Sequence, residues 1–284
     1  MNEQHIPITC ADGTLLAGTL YQPHEVQGTV MIGPATGIKR QFYSHFARYL
    51  CGRGFAVLTY DNRGIGESLQ GSLAACDASL IHWGRHDMTA VLDTLNARFP
   101  GLPHFLVGHS AGGQLVGLME NAHALTAMCN VGSSSGQLRN MRPGYQIKAH
   151  FFMNLFIPLS NLVFGYTQSH WVGMGEPLPR QVARQWQQWC NGQGYVKTAF
   201  GREITKHHYD TLSMPSRWLL ANDDDIANLK NVHDMLSVFD RLPADIVTIE
   251  PAEHGQRSIG HMGFFSRRAQ ALWPLVGDFL LRHA

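Results

Sequence analysis

The sequence predicts an α/β protein: a mostly parallel central sheet with helices on both faces and an inserted helical cap. Three observations lead there. Short apolar runs alternate with amphipathic runs through the first 130 residues, the pattern of strands joined by crossover helices. The same alternation resumes after residue 210. Between them, residues 137–210 break the rhythm and hold 12 of the chain's 28 aromatic residues in about a quarter of its length. The expected organisation is a core built from 1–136 and 211–284, with 137–210 as an aromatic-rich cap over a pocket.

The elements follow in order. Residues 5–10 and 14–21 flank Ala11-Asp12-Gly13, a turn signal, and predict an antiparallel opening hairpin. Residues 29–33 form a short apolar strand. Phe42, Phe46, Tyr49 and Leu50 lie on one face of a helix over 42–53, which Gly54 ends. A strand at 55–60, a helix at 85–98 and a strand at 104–109 follow, then a helix carrying Leu115, Val116, Leu118 and Met119, and a strand at 125–132. After the insertion come a strand at 216–221, a helix at 229–240, a strand at 245–250 and a last helix over about 264–282.

At 284 residues the chain is long enough for a substantial core. Its net charge of +1 gives no electrostatic case for a nucleic-acid partner or an anionic membrane. Sixteen histidines are scattered, without CxxC or HExxH, so neither a metal nor another cofactor is expected. Five widely spaced cysteines, an odd number, argue against a disulfide framework. The first residues, MNEQHIPITCADG, lack the basic and apolar regions of a signal peptide; a cytoplasmic setting is expected. The stretch 149–164 is strongly apolar, but it is too short to span a bilayer and is interrupted by Asn154, Pro158 and Asn161. A cap helix, with no membrane span, is the expectation.

The chemistry centres on Gly108-His109-Ser110-Ala111-Gly112. A Gly-x-Ser-x-Gly between a strand and a helix forms a tight elbow that exposes the serine hydroxyl as a nucleophile. Small neighbours let strand and helix approach closely. Such a serine needs a base, a carboxylate to orient that base, and donors where negative charge develops. The carboxylate is expected after strand 216–221, where Asp223, Asp224 and Asp225 follow directly; Asp224 is chosen, with Asp223 and Asp225 as alternatives. The base is expected after the last strand, where His254 and His261 compete. His261, on a glycine-flanked loop anchored by Phe264 and Phe265, has the preorganisation a general base needs. The oxyanion donors are expected to be the amides of Ala111, next to the nucleophile, and Thr36, in the loop 33–37. Asp61-Asn62-Arg63-Gly64-Ile65-Gly66 lacks the third glycine of a dinucleotide loop and is expected to be a structural turn.

With these pieces in place, the chain resembles the α/β-hydrolase superfamily. GPATG, DNRGIGES, GHSAGG, the NDDD loop and GHMGFF occur in the expected order across both halves of the core. More narrowly, GPATG, Trp186-x-x-Trp189-Cys190 and IGHMGFF are similar to a bacterial branch of serine hydrolases of esterase or lipase type. The resemblance implies an α/β-hydrolase fold, a Ser-Asp-His triad, and His261 over His254. Pro34-Ala35 departs from the His-Gly that many relatives carry in the oxyanion loop, which leaves the second amide open. Serine at 110 argues against relatives that use a carboxylate nucleophile.

The expected activity is hydrolysis of carboxylic esters of apolar acyl or aryl groups through an acyl-enzyme on Ser110. Trp186 and Trp189 are the expected substrate contacts in the aromatic insertion. A thioesterase or amidase with the same machinery is the alternative among enzymes, and a non-catalytic ligand-binding module the alternative outside them.

Overall fold

The computed structural model describes residues 1–284. Ten strands form two sheets: β1 (Asn2–Thr9), β2 (Leu15–Gln22), β3 (Gly28–Gly33), β4 (Phe55–Tyr60), β5 (His104–His109), β6 (Leu125–Val131), β7 (Tyr166–Thr167), β8 (Leu178–Pro179), β9 (Ser216–Ala221) and β10 (Ala244–Ile249). The main sheet has the order β1-β2-β4-β3-β5-β6-β9-β10, while β7 and β8 pair apart from it. β1 pairs antiparallel with β2, and β2 antiparallel with β4. Every other pairing in the large sheet is parallel.

Strands β3, β4 and β5 are buried along their whole length, because helices cover both faces of a parallel sheet. Alternate side chains therefore feed two separate cores. Val30, Ile32, Phe105 and Val107 pack with Phe46 and Leu50 of the helix Ser44–Gly52 and with Val276 and Leu280 of the helix Pro274–Leu281. Met31, Leu58 and Leu106 face the other way, onto Val91 and Leu95 of the helix Thr89–Arg98.

Several helices differ from the sequence expectation. The helix expected over 85–98 starts at Leu80 and includes a wide turn over Trp83–Met88; there Asp87 accepts from the backbone N–H and Nε of Arg63 at 2.9 and 2.6 Å. The helix after Ser110 is α-helical only over Ala111–Gln114. Gly112, Gly113 and Gly117 weaken it, and neighbours take its carbonyls: Tyr209 Oη donates to Gln114 O at 2.6 Å and His208 N to Gly117 O at 2.7 Å. The final helix begins at Pro274, after two tight turns over Gly263–Phe265 and Arg267–Leu272. Proline lacks the donor a helix interior requires and so sits at a helix start.

Residues between β6 and its neighbour β9 form the insertion. Pro143–Phe151 runs through a wide turn over Phe152–Phe156 into Ile157–Phe164, giving one 22-residue helical run, Pro143–Phe164. It is longer than the expected 149–164, and by length and composition it could cross a membrane. The wide turn lies just before Pro158, whose missing N–H would break regular α-helical bonding. Ala149, Phe152, Met153 and Ile157 on its inner side are buried against the rest of the protein. The helix Arg180–Cys190 packs beside it.

The loop after β4 is held from within. The Asp61 carboxylate accepts from Arg40 N at 2.7 Å and Glu67 N at 3.1 Å and also pairs with the Arg40 guanidinium. The Asp61 carboxylate is thus engaged by the protein, while Asn62 Oδ1, buried in the same loop, has no hydrogen-bond partner.

Candidate active site

Ser110 follows β5 and precedes the short helix Ala111–Gln114, with φ +49 and ψ −113. Only Tyr195 shares a positive φ among non-glycine residues. Such a conformation costs about 1–3 kcal/mol and persists only where its surroundings over-determine it. Here they do: Ser110 N donates to Val131 O at 3.0 Å, and Ser110 O accepts from Gly113 N at 3.0 Å and from Ser133 Oγ at 2.9 Å. The elbow also needs Gly112. A Cβ there would lie 2.0 Å from Gly33 O at the end of β3.

His261 lies in the loop beyond β10, and Asp224 in the loop after β9. His261 Nδ1 is 2.8 Å from Asp224 Oδ2. The other carboxylate oxygen, Oδ1, accepts from Ile226 N at 2.8 Å and Ala227 N at 2.9 Å. With the carboxylate as acceptor, Nδ1 carries the proton and Nε2 keeps a lone pair for another donor. Asp224 is 1% exposed on its side chain and His261 16%. Burial works against charge on both. The mutual attraction outweighs it: Asp224 is held below the usual carboxylate range, and His261 is raised above 6.5.

The three consecutive aspartates have three different partners. Asp223 accepts from Ser258 Oγ at 2.7 Å, Ile259 N at 3.0 Å and Gly260 N at 2.9 Å, fixing the backbone just before His261. Asp225 pairs with Arg142 of the insertion at 2.8 Å. None of them caps the next helix; Asn228 does so, accepting from Asn231 N at 3.1 Å. His254 ends a turn over Pro251–His254 and does not line the cavity described next.

Ser110, His261 and Thr36 line one cavity of about 430 Å³ beneath the insertion. Its walls are mainly apolar, with Met141, Phe152, Met153, Trp186 and Ile226 among them, and Gln114, Tyr145 and Lys148 add polar groups. No carboxylate lines it. Ala111 is fully buried behind Ser110. As the first helical residue it has an N–H with no partner inside the helix. Trp186 lines the cavity and stands edge-on to Phe152 at 5.5 Å. Trp189 does not reach the cavity. It is 1% exposed and packs edge-on against Tyr195 at 5.1 Å, so of the two tryptophans expected to contact substrate only Trp186 lines the cavity.

A buried relay missed in the sequence ties the nucleophile region to both flanking loops. The His109 ring lies 3.0 Å from His261 O through Nε2 and 2.9 Å from Tyr43 Oη through Nδ1, and Tyr43 Oη accepts from Ala35 N at 2.9 Å. A carbonyl only accepts, so Nε2 carries the proton and Nδ1 accepts from the tyrosine. Burial, assisted by the neighbouring His261, pushes His109 down to about 3, so it is neutral at ordinary pH. Ala35 N–H is committed to Tyr43 and so is not available as an oxyanion donor, whereas Thr36 of the same loop lines the cavity. The one available signal was a histidine at the end of an apolar run, Phe105–Gly108.

Sheet order, elbow and structural likeness show that this chain has the α/β-hydrolase fold. A family model described as serine aminopeptidase, S33, matches residues 24–162. Human monoglyceride lipase is 29% identical over 106 residues, 37% of this chain and 34% of that protein; the match thus spans about a third of the human protein. Among solved structures, a soluble variant of Saccharomyces cerevisiae monoglyceride lipase, in complex with a substrate analog, superposes with a TM-score of 0.65 at 14% identity, covering 100% of this chain and 96% of that one. A Pyrococcus furiosus esterase gives a TM-score of 0.64 at 14% identity, covering 99% and 91%. These structural neighbours are esterase- and lipase-like in fold.

Proposed function

We propose that the protein is a serine hydrolase that cleaves carboxylic esters of apolar acyl or aryl groups. The observation that carries this is His261, paired with Asp224 at 2.8 Å, lining the same apolar cavity as the strained Ser110. The esterases and monoglyceride lipases among the structural and sequence relatives support the same bond type.

In the proposed reaction, Ser110 Oγ attacks the acyl carbon while its proton passes to His261 Nε2. Asp224 orients the imidazole and stabilises the imidazolium. The amides of Thr36 and Ala111 hold the oxyanion. Collapse of the tetrahedral species expels the alcohol, which takes the proton from Nε2 and leaves an acyl group on Ser110. Water, deprotonated by His261, then attacks that ester and releases the acid, returning the proton to Ser110. Trp186, Phe152 and Met153 offer apolar surface for the acyl or aryl group.

The aminopeptidase description of the family model fits the cavity less well. A free amino terminus is a cation and needs an acceptor, whereas the charged groups on these walls are Lys148 and, when protonated, His261.

The test is steady-state hydrolysis of a panel of p-nitrophenyl esters by the wild type and by Ser110→Ala. Turnover in the wild type that Ser110→Ala reduces at least about 10³-fold supports the reading. Equal rates in both proteins overturn it.

A further inference from the structure

The helix Pro143–Phe164 has two unlike sides. Its inner side helps roof the cavity, through Ala149, Phe152 and Met153. Its outer side is apolar and uncovered: Ile147, Phe151, Leu155, Leu159, Leu162 and Val163 are all exposed, Leu162 to 78%. The spacing of 147, 151, 155, 159 and 162/163 keeps them on one face. Trp171, 60% exposed, stands edge-on to Phe164 at 5.3 Å and extends the same surface. An apolar face of this extent on a water-soluble monomer marks an interaction site.

Charge indicates what covers it. No Asp or Glu occurs between Glu120 and Glu176, a stretch that contains Arg139, Arg142 and Lys148. The insertion 137–210 carries eight Lys or Arg against three Asp or Glu, a net +5; the rest of the chain carries 14 against 18, a net −4. The near-neutral total therefore hides a basic insertion on an acidic body. Asp225 offsets Arg142 and Glu176 pairs with Lys39, but the insertion keeps its net positive charge. An exposed apolar helix face on such a basic insertion, edged by a tryptophan, is complementary to an anionic lipid surface. A second copy of the chain would instead bring one basic insertion against another.

The face is also continuous with the cavity. Phe151 and Val172 line the cavity and are themselves exposed, as is Lys148. We infer that the insertion docks on anionic lipid with the helix lying along the surface, so that the mouth between Phe151 and Val172 opens toward the bilayer. The helix does not span, because its inner side is packed on protein. Delivery of an apolar ester through that mouth rests on the proposed function above; docking itself does not.

The experiment is flotation of the full chain with vesicles of phosphatidylcholine alone or of an equimolar mixture with phosphatidylglycerol, together with Trp171 emission. Binding to the anionic vesicles at least about tenfold tighter, and weakening with added salt, is expected. A blue shift that is lost in Trp171→Phe places the tryptophan at the interface. The double variant Leu159→Glu/Leu162→Glu, at exposed positions outside the cavity, should lose vesicle binding about tenfold or more while hydrolysing a soluble ester at the wild-type rate. Failure to float with anionic vesicles, equal binding to both lipids, or unchanged binding in the double variant overturns the inference. So does a wild-type dimer that Leu162→Glu dissociates, with no vesicle binding, since a second copy would then cover the face. Docking without ester turnover would overturn the proposed function and leave this inference standing; turnover without docking would do the reverse.

Discussion

His109 donates from Nε2 to the backbone carbonyl of His261 at 3.0 Å. The residue that precedes the nucleophile in the chain thus holds the loop that carries the base. Through Nδ1 the same ring reaches Tyr43, and through Tyr43 the amide of Ala35. One neutral imidazole therefore links the elbow, the base loop and the oxyanion loop.

Replacing that ring should disturb geometry before affinity. His109→Phe retains bulk but leaves the Tyr43 O–H without an acceptor and the His261 carbonyl without its donor from residue 109, at a cost of about 1–3 kcal/mol for a buried unsatisfied group. The expected outcome is a lower urea midpoint and a kcat reduced by about tenfold with KM nearly unchanged, since a small shift of a positioned base costs rate rather than binding. Urea titration and steady-state kinetics on one soluble ester check both.

The same residue sets an acid-side stability slope. His109 is lowered from 6.5 to about 3 in the folded protein, so below pH 6.5 the unfolded chain takes up a proton that the native state refuses. Stability then falls with decreasing pH from about 6.5 toward 3. His109→Gln, which cannot titrate, should show a shallower loss of stability across that window, measured as urea midpoints at a series of pH values.

Asp224→Asn tests the orienting carboxylate. An amide cannot replace the charge that favours the Nδ1–H tautomer and the imidazolium, and kcat should fall by about 10³–10⁴. Wild-type His261 is raised above 6.5, because Asp224 outweighs burial, so kcat/KM in the wild type should rise with pH through a value above 6.5. In Asp224→Asn burial acts without that partner, and the acid limb should move to lower pH. A pH–rate profile of both proteins decides it; an unmoved limb would mean that another group controls the rise.

Two glycine substitutions should have opposite signs. A Cβ at Gly112 would lie 2.0 Å from the backbone oxygen of Gly33, whereas one at Gly144, in the outer helix, meets nothing within 4 Å. Gly112→Ala should destabilise by about 3 kcal/mol, the upper range for overpacking, and Gly144→Ala should stabilise by up to ~1 kcal/mol through helix propensity. Urea unfolding of the two variants measures the contrast.

What was legible in the sequence is what chain order and strand ends dictate. Buried runs such as 29–33, 55–60 and 104–109 are continuous because both sheet faces are covered, and loops at strand ends are the natural places to look for Ser110, Asp224 and His261. Which face a helix turns inward was not legible: Trp186 and Trp189 are three residues apart, yet one reaches the cavity and the other the core. Helix extents were misjudged where backbone chemistry intervened, at Pro158, at Pro274 and in the glycine-rich turn after Ser110. The distinct partners of Asp223, Asp224 and Asp225 depend on long-range contacts, as does the link from His109 to a carbonyl 152 residues away.

The central claim is that Ser110 is an activated nucleophile assembled with His261 and Asp224. Mass spectrometry of the intact, folded protein after treatment with a fluorophosphonate tests it most directly. A single adduct that maps to Ser110 and vanishes in His261→Ala is the predicted result. A folded protein that stays unmodified, or an adduct on a different residue, would contradict it.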